Sequence, residues 1–286
     1  MASKFTLYSF AGSQWAQVAH LALAEKGFSE DEYDIKDIDL MTGANFDPEY
    51  IKVNPNGTVP SLSSASLEKP IIESTDILRY IDGLRGNSSL VPSDPAVKSK
   101  AQAIIDLVHS YDARTDTILL HARDDEEMKG KKASGFRDFL VNRQDRLEKE
   151  KAANPSHPFY GPKVLENGSL SKFYTTEIGE EHKQFYKDSE DAYKAFAKVM
   201  DKLDSLLVLP YAAGDAVSEA DFHVVAWLAH AMSGAGSDTT QIQNFDVLEK
   251  LIQKTTPSFA IGKSTREWWA NISATPAFKK VFPTLH

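Results

Sequence analysis

The spacing of apolar residues changes period several times along the first third of the chain. Residues 4–10, KFTLYSF, alternate and carry aromatic and β-branched side chains, which predicts a strand. Trp15, Val18, Ala19, Ala22 and Leu23 fall on one helical face, so a helix is expected over residues 15–26, closed by Gly27. Residues 33–38 alternate again, giving a second strand. Such a β-α-β unit implies a parallel pair joined by a right-handed crossover. Asp47 as N-cap and Pro48 at the first helical position predict a short helix over residues 47–53. A third strand is expected around Ser61 and Leu62, and a short fourth at Ile71 and Ile72. Ser74 is then expected to cap a helix reaching to about residue 84.

The punctuation changes at Gly86, Asn87, Ser88 and Ser89, followed by Pro92 and Pro95, which reads as a linker. Beyond it the spacing is helical only. Helices are expected over 96–124, about 134–152, 180–207, 218–232, 246–253 and 264–272. The organisation is therefore a small α/β domain over 1–86, a linker over 87–95 and an all-helical domain over 96–286. Residues 123–190 are highly charged, as in HARDDEEMKGKK, yet they also carry Phe136, Phe139, Phe159, Tyr160, Phe173, Tyr174, Phe185 and Tyr186. Disordered segments are poor in aromatics, so this stretch is expected to be an ordered insertion that packs on the body.

Composition narrows the function. The formal net charge of −9 argues against binding to nucleic acid or to anionic membranes, both of which need clustered Lys and Arg. The chain has no cysteine, which excludes disulfides, thiolate metal sites and a cysteine nucleophile. No run of about 18 apolar residues predicts a membrane span. The first residues lack the apolar core of a signal peptide, so a cytoplasmic protein is expected. His223 and His230 share a helix face, but nothing supplies a third ligand, and no metal is expected.

Chemistry concentrates at two helix starts. In a β-α-β unit the first strand ends where the first helix begins, and here that junction holds Ser9, Gly12 and Ser13. Free N–H groups and the positive end of the helix stabilise an anion at such a place. Ser74 opens a second site of the same kind, and Glu73 beside it suits a cationic amine. An amine beside a carboxylate describes an amino-acid head group.

Together these residues resemble a family. A strand, a serine loop and a helix are followed by NPNGTVPSL and then IIESTDILRYI. This order is similar to the thioredoxin-like domain of cytosolic glutathione transferases of the serine type, as in the tau, phi, β-etherase-like or fungal members. Gly214, Asp215, Ser218, Ala220 and Asp221 fit the family's G-D-x-x-S-x-A-D motif, and Ser218 with Asp221 makes a capping box. Trp268 and the closing ATPAFKKVF also resemble its C-terminal helices. The resemblance covers roughly 1–120 and 189–286. It implies a thioredoxin-like domain followed by an all-α domain, a homodimer, and glutathione as co-substrate.

What the resemblance implies for residues follows position by position. Ser13 is placed to stabilise the glutathione thiolate, with Ser9 as the alternative. Val59, ahead of a cis Pro60, is placed to pair with the cysteinyl main chain, as an added strand pairs with a sheet edge. Glu73 and Ser74 match the positions that hold the γ-glutamyl amine and carboxylate. Where relatives place basic donors for the glycyl end, this chain departs and carries Asn45, Phe46 and Thr58; Asn45 and Thr58 can still donate hydrogen bonds, and Lys52 can supply charge from nearby. Trp15, His109, Tyr111 and Asp112 are expected to line a pocket for a small hydrophobic electrophile. The implied activity is glutathione conjugation or glutathione-dependent ether cleavage. The alternative is a non-catalytic relative that binds or regulates.

Overall fold

The computed structural model describes residues 4–86 and 89–286, so the Asn87–Ser88 part of the expected linker lies outside the described residues. Three strands form one small sheet: β1 (Phe5–Ser9), β2 (Tyr33–Asp37) and β3 (Ser61–Ser64), in the order β2-β1-β3. β1 pairs with β2 in parallel and with β3 antiparallel, with Tyr8 opposite Ser61. The expected fourth strand is reduced to one antiparallel bridge, Leu62 with Ile71, because Pro70 and the helix starting at Ser74 leave no room for more pairing. Helices α1 (Gln14–Glu25), α2 (Pro48–Val53) and α3 (Ser74–Gly83) complete this part.

Helices α4 (Pro95–Val108), α5 (Asp116–Leu120), α6 (Asp125–Lys132), α7 (Gly135–Ala153) and α8 (Tyr160–Thr175) follow. Then come α9 (Glu180–Leu206), α10 (Glu219–Gly234), α11 (Asp246–Gln253), α12 (Lys263–Ser273) and α13 (Pro276–Val281). No described helix is long and apolar enough to cross a membrane. The single helix expected over 96–124 is broken between His109 and Thr115, where the chain makes a 3-10 turn over Tyr111–Ala113. Trp227 Nε1 holds the break open by donating to the Ala113 carbonyl at 2.6 Å.

α10 is buried nearly all round and forms the centre of a continuous core that reaches from Phe5 and Leu7 to Trp268 and Trp269. Its start is fixed by the expected capping box, with Ser218 Oγ donating to Asp221 Oδ2 at 3.0 Å. Asp221 also accepts from Trp268 Nε1 at 2.8 Å and from the Ala212 N–H at 2.7 Å. Lys26 at the end of α1 meets Asp82 of α3 at 2.8 Å, both buried, and Arg79 of α3 ties the sheet layer to α10 through the fully buried Glu219 at 2.8 Å.

The charged segment around 123–190 is ordered. It folds into α6, α7, α8 and the start of α9, with Met128, Leu140, Tyr174 and Phe185 packing around Phe136, Phe139 and Phe173. It also lies on the α2 side of the sheet layer. Tyr160 donates to the Phe46 carbonyl at 3.0 Å, and Arg146 pairs with Asp47 at 2.9 Å. Gly57, at φ +61°, sits beneath this cover, and a Cβ there would stand 2.7 Å from Phe159.

Candidate functional site

Topology alone gathers the sequence motifs at one end of the sheet. β1 and the Ile71 segment are both antiparallel to β3, so they run in the same direction. The helices that follow them, α1 and α3, therefore start at the same end. β3 begins there too, directly after Val59 and Pro60, whose peptide bond is cis.

At this end several polar groups have no partner among the described residues. Ser13 is the N-cap of α1, with extended backbone, but its hydroxyl makes no capping bond. Its N–H is taken by the Phe10 carbonyl at 3.0 Å. The N-cap of α3 is Glu73, not Ser74 as expected; Ser74 is the first helical residue, nearly buried, and its N–H lies in the unpaired first turn. Neither the exposed Glu73 carboxylate nor the Ser74 hydroxyl bonds to a described residue. The backbone N–H and C=O of Val59 are likewise unpaired, although its side chain is buried.

The loop carrying Val59 is braced from below. Tyr50 Oη donates to the Thr58 carbonyl at 2.5 Å, and Asn54 Nδ2 stands 2.8 Å from the same oxygen and 3.0 Å from Ser61 Oγ. Burial pushes the Tyr50 phenol up to about 12. Asn45 is buried and donates to the Gly57 carbonyl at 2.6 Å. Thr58 and Asn45 thus shape the turn, and Lys52 turns its charge to Glu49 at 2.5 Å. Tyr8, on the face of β1 opposite Leu7, packs with Tyr50 and Val59 under this loop rather than in the main core.

The two serines of the first junction part company. Ser9 follows the alternation of β1 to the buried face, where its hydroxyl lies 2.9 Å from His20 Nε2. It lines a separate cavity of about 390 Å³ with Gln17, His20 and His286. Ser13 lies at the helix start instead.

Beside Ser13 a cleft of about 250 Å³ is lined by Gln14, Trp15, His109, Ser110, Arg114 and Thr115. Trp15 stacks on His109, with ring centroids 3.8 Å apart. His109 Nε2 meets His223 Nδ1 at 2.9 Å, and His223 Nε2 meets Thr75 Oγ1 at 3.2 Å. Thr115 donates to Gln14 Oε1 at 2.9 Å and so accepts from His230 Nδ1 at 3.0 Å. Burial holds His109 and His230 down to about 4 and also lowers His223 well below the ordinary imidazole value, so all three are neutral at pH 7. Tyr111 and Asp112 do not join the cleft. They sit on the 3-10 turn, where Tyr111 is 73% exposed beneath the Arg114 guanidinium. The His223–His230 spacing was the sequence signal for this wall. Arg114 and Thr115 gave none, because they become wall only through the break between α4 and α5, and Gln14 at the start of α1 faces them there through Thr115.

The family model for the N-terminal domain of glutathione S-transferases matches residues 3–83. The soybean (Glycine max) protein named glutathione S-transferase 3 is 31% identical over 165 residues, which is 56% of this chain and 67% of that one. The Drosophila melanogaster protein named probable maleylacetoacetate isomerase 1 is 33% identical over 113 residues, 38% of this chain and 44% of its own. With several such curated relatives the match spans less than half of the relative's length. Among solved structures, the β-etherase LigF of Sphingobium sp. strain SYK-6 is 20% identical and superposes at a TM-score of 0.62 over 98% of this chain and 99% of that one. A maleylacetoacetate isomerase of Methylobacterium extorquens AM1 with bound malonate and GSH is 18% identical, with a TM-score of 0.57 over 97% and 96%. These two share the fold.

Proposed function

Because this chain belongs to the glutathione S-transferase family, we propose that it binds glutathione at the shared end of its sheet and ionises the thiol beside Ser13. The observation that carries this reading is the set of unpartnered groups there: the Ser13 hydroxyl, the Val59 N–H and C=O, Glu73, and Ser74 at a helix start. Each matches one part of the tripeptide. The cysteinyl main chain takes the two backbone groups of Val59. The γ-glutamyl carboxylate takes the Ser74 hydroxyl and the first N–H groups of α3, and its amine takes Glu73.

A free thiol ionises near pH 8.5, so most of it is protonated at neutral pH. A hydrogen bond from a hydroxyl to a thiolate, with the start of α1 beside it, is worth about 1.5–3 kcal/mol and lowers the thiol pKa by about one to two. The thiolate then attacks an electrophilic carbon held against Trp15 and His109. A C–S bond forms, and the departing halide or alkoxide leaves with the electron pair. A cytoplasmic homodimer fits the same family reading.

A second reading, a non-catalytic ligand-binding relative, draws on a different observation. Asn45 donates to the Gly57 carbonyl, Thr58 accepts from Asn54, and Lys52 is paired with Glu49, so each of the three already has a partner within the protein. Calorimetric titration with reduced glutathione, for the wild type and Ser74→Ala, tests the binding step. Binding at millimolar affinity or tighter, lost in the variant, is expected. No heat and no thermal stabilisation at millimolar glutathione would remove glutathione from the account.

A further inference from the structure

A second cavity, of about 240 Å³, lies between Phe46 and the helices α5, α7 and α8. It adjoins the Trp15–His109 cleft, since Asp116 lines both. Its most unusual member is Arg143 of α7. The guanidinium carbon lies 4.5 Å from the centroid of Phe46 and 4.8 Å from that of Phe139. Arg143 makes no ion pair and donates no side-chain hydrogen bond among the described residues. Every other arginine of the chain is ion-paired: Arg79, Arg85, Arg114, Arg123, Arg137, Arg146 and Arg266.

The remaining charges around the cavity account for one another. Lys163 pairs with Glu166 at 2.7 Å. Asp116 has Arg114 Nε at 3.7 Å, an ion-pair distance too long for a hydrogen bond, and its Oδ1 is buried without a donor. Arg143 is the charge left over. Burial lowers its pKa to about 10, with Glu166 acting against the shift, so it stays cationic at neutral pH. A partly desolvated guanidinium with five donors and no acceptor is unfavourable unless a ligand supplies the acceptor. Its planar fork matches a carboxylate, and the two rings beside it suit an apolar body.

We propose that this cavity is a subsite for a carboxylate borne on an apolar group, with Arg143 as its cation and Phe46 and Phe139 as its walls. The orphan oxygen of Asp116, on the side shared with the cleft, accepts from a donor on the same ligand. The subsite itself does not depend on the transferase reading. The source of the carboxylate does rest on it: either the glycyl end of glutathione or the second ligand in the Trp15–His109 cleft.

The test uses the full chain and calorimetry, first without glutathione. 3-Phenylpropanoate is expected to bind roughly tenfold tighter than its amide, Arg143→Met to erase that preference, and Arg143→Lys to restore part of it. Melting temperatures of both variants show that they are folded. Glutathione and its glycinamide analogue are then titrated. Glutathione weakened by Arg143→Met, with the glycinamide unaffected, identifies the tripeptide as the source. Glutathione unchanged, with phenylpropanoate weakened, identifies the second ligand. Equal binding of acid and amide to the wild type, with glutathione affinity unchanged in Arg143→Met, overturns the proposal. Glutathione failing to bind the wild type at all would remove the transferase reading and leave the phenylpropanoate comparison to decide the subsite.

Discussion

His109 and His223 share a hydrogen bond of 2.9 Å, and this bond fixes the ring on which Trp15 stacks. His223 is itself anchored by Thr75, one residue past Ser74. The wall of the cleft and the start of α3 are therefore joined through one buried imidazole. His223→Leu leaves His109 Nε2 and the Thr75 hydroxyl without their partner, which costs about 1–3 kcal/mol. Urea unfolding is expected to show that loss. Trp15 fluorescence is expected to shift as its stacking partner is freed. An unchanged midpoint and spectrum would mean that His109 holds its place without the tether.

Neutral buried histidines make stability depend on pH. His20, His109 and His230 each titrate near 4 when folded, because burial disfavours the charged ring, against about 6.5 unfolded. As pH falls from 6.5 to 4 the unfolded chain binds protons that the folded chain refuses, so stability falls across that window and is level above it. Each histidine accounts for about 1–2 kcal/mol between pH 7 and pH 5. His230→Gln is expected to reduce the loss between those two pH values by that amount. Parallel pH profiles for variant and wild type would refute it.

Asp221 joins three parts of the helical layer: its own helix start at Ser218, the Ala212 turn and Trp268. Burial raises its pKa, and the hydrogen bonds oppose the rise. Asp221→Ala strands several buried donors at once, and a loss of about 3–5 kcal/mol is expected. Thermal unfolding of Asp221→Ala beside Ser218→Ala checks the order, with the serine variant costing only about 1 kcal/mol.

Gly57→Ala places a Cβ at φ +61° against Phe159. Strain and contact together are expected to cost about 1–3 kcal/mol and to displace the turn that carries Val59. Glutathione affinity is expected to weaken alongside stability. Lost stability with intact affinity would show that the turn and the cover of α7 and α8 move independently.

Most of the first ninety residues were legible because local rules and topology agree there: alternation set β1 and β2, Gly27 closed α1, and Asp47 and Pro48 opened α2, while the Ile71 strand and the α3 cap fell out differently. Further on, the capping box opened α10. Two helices have no signal in the spacing for physical reasons: α6 is almost wholly charged, and α8 is broken up by Gly161, Pro162 and Gly168. The very short α13 is reached only through the family resemblance of ATPAFKKVF. The break between α4 and α5 was illegible because a side chain 114 positions away, Trp227, secures it. Ser9 and Ser13 could not be ranked from spacing, since the pleat of β1 decides that Ser9 turns to His20. Asn45 and Thr58 carry donors that fit a ligand equally well in sequence; only packing shows that Asn45 donates to the Gly57 carbonyl and that the Thr58 hydroxyl accepts from Asn54.

The thiol of bound glutathione is the most direct object of measurement. Its thiolate absorbance is titrated against pH in complex with the wild type and with Ser13→Ala. A thiol pKa about one to two below the free value in the wild type is expected, returning most of the way in Ser13→Ala while binding persists. A bound thiol that titrates like free glutathione, or a lowered pKa untouched by Ser13→Ala, would contradict the role assigned to Ser13.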